Sequence, residues 1–64
     1  MHHTIARIVG KPEDYKKCRL CGRVNWYENE QCINCGGTEF TEFTKKDADR
    51  LLEVFEDEEM EIEV

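Results

Sequence analysis

Two Cys-x-x-Cys pairs, Cys18-Arg-Leu-Cys21 and Cys32-Ile-Asn-Cys35, stand ten residues apart in a chain of 64. No other feature restricts the possible folds as strongly. A two-residue gap lets both thiolates of a pair turn toward one ion, and zinc takes four such sulfurs at about 2.3 Å in a closed tetrahedral shell. Glycine follows the second cysteine of each pair, at Gly22 and Gly36, where a tight turn calls for positive φ and a free amide near the sulfur. Ten intervening residues suffice for one short hairpin and not for separate domains. The spacing therefore predicts one zinc per chain, held by Cys18, Cys21, Cys32 and Cys35. Two disulfides are the other use of four cysteines. They suit a secreted protein, whereas the N-terminal residues show no apolar leader, so a reducing cytoplasmic setting is expected.

At this length a domain buries only about 60% of its unfolded surface, and metal affinity doubles as folding energy. The expected fold class is a small metal-stabilised α+β domain, a zinc-ribbon or two-hairpin finger with a C-terminal amphipathic helix and an acidic tail. It is expected as a single domain over 1–64: an N-terminal strand at 1–10, the finger at 15–43, the helix at 44–56 and the tail at 57–64. No run approaches the ~18 apolar residues of a membrane span, and no membrane contact is expected. Charge is unevenly spread within the net of -6. Over residues 15–37, Lys16, Lys17, Arg19 and Arg23 exceed the two acids Glu28 and Glu30, whereas from Thr38 onward eleven acids face only Lys45, Lys46 and Arg50. A chain so balanced is poorly supplied for neutralising phosphates, and a basic protein partner is expected.

Isoleucine and valine in Ile5–Val9 favour a strand, which Gly10-Lys11-Pro12 ends. His2 and His3 are expected in a frayed terminus. Phe40 and Phe43 do not share the two-residue period of a strand, so one of them is expected to leave it and pack beneath the next segment. Thr44 followed by Asp47 predicts a helix N-cap with a capping-box partner. Ala48, Leu51, Leu52 and Phe55 then form one apolar stripe, read as core docked on the finger. The run Glu56 to Val64 is expected to fray, although Met60, Ile62 and Val64 alternate with glutamates as in a strand able to pair with Ile5–Val9.

The stretch Gly22-Arg23-Val24-Asn25-Trp26, with its spacing Cys-x2-Cys-x3-Asn-x6-Cys-x2-Cys, resembles the zinc fingers of Ran-binding nuclear-pore proteins. The Cys-x-x-Cys-Gly knuckles alone also resemble the broader zinc-ribbon group. The first resemblance covers about Cys18 to Gly36. It implies two short hairpins sandwiching the metal, with Asn25 tying them together by hydrogen bonds. The tryptophan that the family usually carries two residues before its first cysteine is Lys16 here. The family's RNA-binding branch stacks bases on the tryptophan matching Trp26, but the positions of its guanine-reading arginines fall at or near Glu28 and Asn29. Its ubiquitin-binding branch uses a Thr-Phe pair where this chain has Gly22-Arg23.

Trp26 and Tyr27 are adjacent, so on a strand they face opposite sides and one of them is exposed. Arg23, Trp26, Tyr27 and Lys17 form the candidate binding surface. Enzyme readings are weak. Four thiolates leave no open position at the metal, serine is absent, no phosphate-cradling loop is present, and no small-molecule substrate is expected. The expected function is a structural-zinc module acting as a protein–protein adaptor in transcription, translation or RNA processing. Single-stranded RNA binding through Trp26 is the alternative. A third reading is a rubredoxin-like iron carrier, since four thiolates also hold iron, although rubredoxins separate their pairs by a longer loop.

Overall fold

The computed structural model describes residues 1–64. In chain order it comprises β1 (His2–Thr4), α1 (Ile5–Gly10), a 3-10 turn (Pro12–Asp14), β2 (Tyr15–Cys18), β3 (Val24–Trp26), β4 (Phe40–Glu42), α2 (Lys45–Phe55) and β5 (Glu61–Glu63). Two antiparallel sheets result, one ordered β1-β5 and the other β3-β2-β4. No helix is long and apolar enough to cross a membrane.

Residues 1–10 are not one strand. Only His2–Thr4 is extended, and Ile5–Gly10 is helical. Ile5 and Ile8, one helical turn apart, are both 0% exposed. Burying two isoleucines is worth roughly 1.5–3 kcal/mol each, more than the β preference of branched residues, which spans about 1 kcal/mol. Thr4 caps the helix, its hydroxyl accepting the Arg7 amide at 3.2 Å. The first amides of any helix lack partners within it. Here Ile5 and Ala6 donate to the carbonyls of Met60 and Glu58, at 2.8 and 2.9 Å.

Those carbonyls belong to the segment that composition marks as a fraying tail, and the structure corrects that expectation. Glu61–Glu63 pairs with β1, His3 lying opposite Ile62, and the Val64 amide donates to the Met1 carbonyl at 2.9 Å. Ile62 and Val64 are buried while Glu61 and Glu63 face water, so strand alternation outweighs the repulsion of like charges that remain hydrated. The partner strand is His2–Thr4 and not Ile5–Val9. The Arg7 guanidinium lies 5.8 Å from the centre of the Trp26 ring.

His3 is buried rather than frayed. Its Nδ1 lies 2.6 Å from the Tyr15 hydroxyl, and its ring meets Tyr15 and Trp26 edge-on. Burial, then the positive charges of Arg7 and the N-terminus, hold its pKa below the usual 6.5. A folded-state pKa below the unfolded value means that protonation favours the unfolded chain. The contribution of His3 is thus complete above pH 6.5 and is lost as pH falls from there through the lower, folded-state value. In an NMR titration of the metal-loaded protein the His3 ring should show a midpoint below 6.5, and a midpoint above it would contradict this burial.

Helix α2 begins at Thr44, whose hydroxyl accepts the Asp47 amide while the Asp47 carboxylate accepts the Thr44 amide. Its C-terminus closes at Glu56 in the left-handed conformation, φ 54°, with the Glu56 amide on the Leu52 carbonyl. Ala48 is fully buried, and Leu51, Leu52 and Phe55 are partly buried against the core. Lys17 of β2 pairs with Asp47 at 3.1 Å and joins the sheet to the helix N-terminus. Phe43 leaves the strand for the core, which it shares with Ile5, Ile8, Tyr15, Val24, Ala48, Ile62 and Val64. Phe40 stays in β4 with the Lys16 ammonium 3.9 Å from its ring centre.

Candidate metal centre

The two knuckles are the same loop built twice. In the first, the Cys18 amide donates to the Arg23 carbonyl at 2.9 Å and the Gly22 amide to the Cys18 carbonyl at 2.9 Å. In the second, the Cys32 amide donates to the Gly37 carbonyl at 2.8 Å and the Gly36 amide to the Cys32 carbonyl at 2.9 Å. Gly22 and Gly36 have φ of 76° and 75°, a left-handed conformation that a side chain disfavours. At Gly37 a Cβ would lie 2.9 Å from the end of the exposed Leu20 side chain, which can swing away, and 3.4 Å from the Cys35 sulfur.

This repeated geometry brings the four sulfurs of Cys18, Cys21, Cys32 and Cys35 within 4.8 Å of one another. The separations across the knuckles, Cys18 to Cys35 and Cys21 to Cys32, are 3.5 Å each. A tetrahedron with metal–sulfur bonds of about 2.3 Å has edges of about 3.8 Å, so the cluster fits a four-thiolate ion closely. All four cysteines are free thiols.

The surroundings favour anionic sulfur at the buried positions. Burial pushes the Cys32 thiol up, but the amides of Cys35 and Asn34 and the Asn25 carboxamide outweigh it and bring its pKa down to about 6. The Cys21 amide, 3.5 Å from the Cys18 sulfur, is the main cause of a lowered pKa at Cys18. At Cys35 the Gly37 amide favours the thiolate, yet the neighbouring Cys18, Cys21 and Cys32 sulfurs push the pKa up to about 12. Four sulfurs this close repel one another when ionised, and a shared cation removes that cost.

Asn25 joins the halves of the site and is 0% exposed. Its Oδ1 accepts the Ile33 amide at 3.1 Å and the Asn29 side chain at 3.3 Å. Its Nδ2 donates to the Arg23 carbonyl at 3.1 Å and approaches the Cys32 sulfur at 3.5 Å. Asn25→Ala leaves the Ile33 amide without this acceptor and should cost about 1–3 kcal/mol in thermal or urea unfolding of the metal-loaded protein. An unchanged melting curve would show that this linkage is not structural.

The second knuckle does not close a hairpin of its own. Past Gly37 the chain returns to β2 as β4, which lies opposite β3, so one hairpin and an added strand replace the two hairpins expected. Lys16, at the tryptophan position of the resembling family, donates to the Asn29 carbonyl. The four candidate surface residues are drawn in different directions. Lys17 pairs with Asp47, and Arg23 reaches the Glu63 carbonyl at 3.3 Å. Trp26 is half-buried against His3 and Tyr15. Tyr27 is 51% exposed, with its hydroxyl donating to Glu28 at 2.9 Å.

Sequence reasoning placed His3 in a frayed terminus, whereas His3 and Arg7 complete the aromatic cluster around Trp26. The spacing of Ile5 and Ile8 was the available signal, because it turns Arg7 out of the core as a helix and not as a strand. The four-cysteine cluster is therefore a metal-binding centre within a small α+β domain, and comparison with protein-family models, curated proteins and solved structures finds no match.

Proposed function

We propose that the chain is a non-enzymatic structural zinc module, of the zinc-ribbon or nuclear-pore-finger kind, whose folded surface serves as an adaptor for another protein. The observation that carries the reading is the convergence of four sulfurs within 4.8 Å from two knuckles closed by the same pair of backbone hydrogen bonds. Zinc would be held by Cys18, Cys21, Cys32 and Cys35, supplying charge neutralisation and a covalent-like cross-link between the halves of the finger. All four protein ligands fill the shell, which leaves no position for activating water. A reducing cytoplasmic compartment would keep the thiols available.

Protein docking is favoured over single-stranded RNA binding because the stacking residue is engaged. Trp26 is half-buried, with the His3 and Tyr15 rings packed against it at steep angles and the Arg7 guanidinium 5.8 Å from its ring centre, and the chain carries a net charge of -6. The test is elemental analysis of protein from its native source, together with its visible spectrum. One zinc per chain and no absorption beyond the aromatic bands is the expected result. Red colour with charge-transfer bands would instead identify an iron electron carrier.

A further inference from the structure

The larger of two surface grooves lies between α2 and the first knuckle, with a volume of about 580 Å³. Phe43, Leu51 and Val54 give it an apolar floor, and Lys17, Arg19 and Arg50 stand around it with Asp47 as the one acid. Lys17 and Asp47 neutralise each other at 3.1 Å. Arg19 and Arg50 are exposed and belong to no ion pair. Val54, at 71%, is the most exposed of the large apolar side chains. Two unpaired guanidinium groups beside an exposed apolar strip run against the composition of a chain with fifteen acids and nine bases.

We propose that this groove docks a short protein segment in which apolar side chains are flanked by carboxylates. The inference rests on the reading of the chain as a protein-binding module and names the chemistry of what it binds. Apolar side chains of the segment would cover Leu51 and Val54, with a gain of roughly 25 cal/mol for each Å² removed from water. Its carboxylates would meet Arg19 and Arg50, whose planar forks suit two-point contact with an anionic oxygen pair. The net charge of the whole chain favours a basic partner, but its charges act through solvent and fade beyond a Debye length of about 8 Å. Contacts inside a desolvated groove are screened much less, so Arg19 and Arg50 act directly on the docked segment, although Cys18 also lines the groove and Asp49 and Glu53 stand beside Arg50. Phosphates could also engage the two arginines. A nucleic acid would, however, leave the apolar strip uncovered, and Phe43 is too deeply buried to offer a stacking face.

The test is selection of displayed random twelve-residue peptides on immobilised zinc-loaded protein, followed by amide-shift mapping and titration of the selected peptides. Selected sequences should set aspartate or glutamate beside apolar residues and shift the amides of Arg19, Thr41, Arg50 and Val54. Arg19→Glu, Arg50→Glu and Val54→Asp should each weaken binding by about tenfold or more. All three positions are exposed, so zinc content and amide dispersion should stay as in the parent and separate loss of the groove from loss of the fold. Selected peptides that are basic, that map elsewhere, or that bind these variants unchanged would overturn the groove while leaving a protein-binding role intact. Displacement of the selected peptides by a twelve-nucleotide single-stranded RNA, with higher affinity for the RNA, would assign the groove to nucleic acid. Failure to select any peptide, with one zinc still bound, would overturn the groove and the adaptor reading together but not the metal centre.

Discussion

Removal of the metal by a chelator under reducing conditions should unfold the protein, with loss of the strand signal in circular dichroism and a red shift of Trp26 fluorescence. Binding of structural zinc to four thiolates is worth about 10–16 kcal/mol in small finger peptides, as much as the whole stability of an ordinary domain. The finger has little else to hold it. Cys18 joins β2 to the site and lies opposite Phe40 of β4, while the first knuckle is itself the turn between β2 and β3. Without the ion the crowded thiolates would force the knuckles apart or take up protons. Cys32→Ser should act similarly, because it removes a buried ligand along with the sulfur that Asn25 and the Asn34 amide approach. Adding zinc back to the chelated wild type should restore the native spectrum. Retention of the full melting transition after complete metal removal would show that the site is not structural.

Truncation after Asp57 should be nearly as damaging. Ile62 and Val64 are 9% and 2% exposed, and their loss forfeits roughly 1.5–3 kcal/mol of burial apiece. The deletion also removes the whole partner strand of β1 and the carbonyls that receive the Ile5 and Ala6 amides. His3 would then lie on an uncovered strand, with the aromatic cluster opened to water. The expected result is a fall of well over 10 °C in melting temperature at saturating zinc, given the 4–8 °C per kcal/mol typical of domains this small. Melting of the truncated chain like the full one would return residues 58–64 to the status of a solvated tail.

The legible parts of this chain were those fixed by local chemistry. The knuckles follow from cysteine spacing with glycine at the turn. Helix α2 follows from Thr44, Asp47 and the stripe beginning at Ala48. The illegible parts depend on contacts between distant residues. Ile5, Ile8 and Val9 suit a strand by preference, and only the burial of Ile5 and Ile8 against α2 makes helix the better state. The glutamates of residues 56–63 conceal a strand because Glu61 and Glu63 keep their hydration while Ile62 alone turns inward between them. The candidate surface around Trp26 was drawn from adjacency in sequence. The groove beside α2 draws Arg19 and Arg50 from separate elements, and no local motif announces such a meeting.

The closure of α1 by Met60 and Glu58 has a consequence for how the chain matures. During synthesis Ile5–Gly10 emerges well before Glu58 and Met60, which receive its leading amides, so α1 has no settled state until those residues have been made. The knuckles face no such delay, because Cys18 to Cys35 is a short loop whose closure costs little entropy. Metal loading can thus run ahead of the β1–β5 sheet, whose strands lie far apart in sequence. Hydrogen exchange at Ile5 and Ala6 would time the opening of the β1–β5 seam.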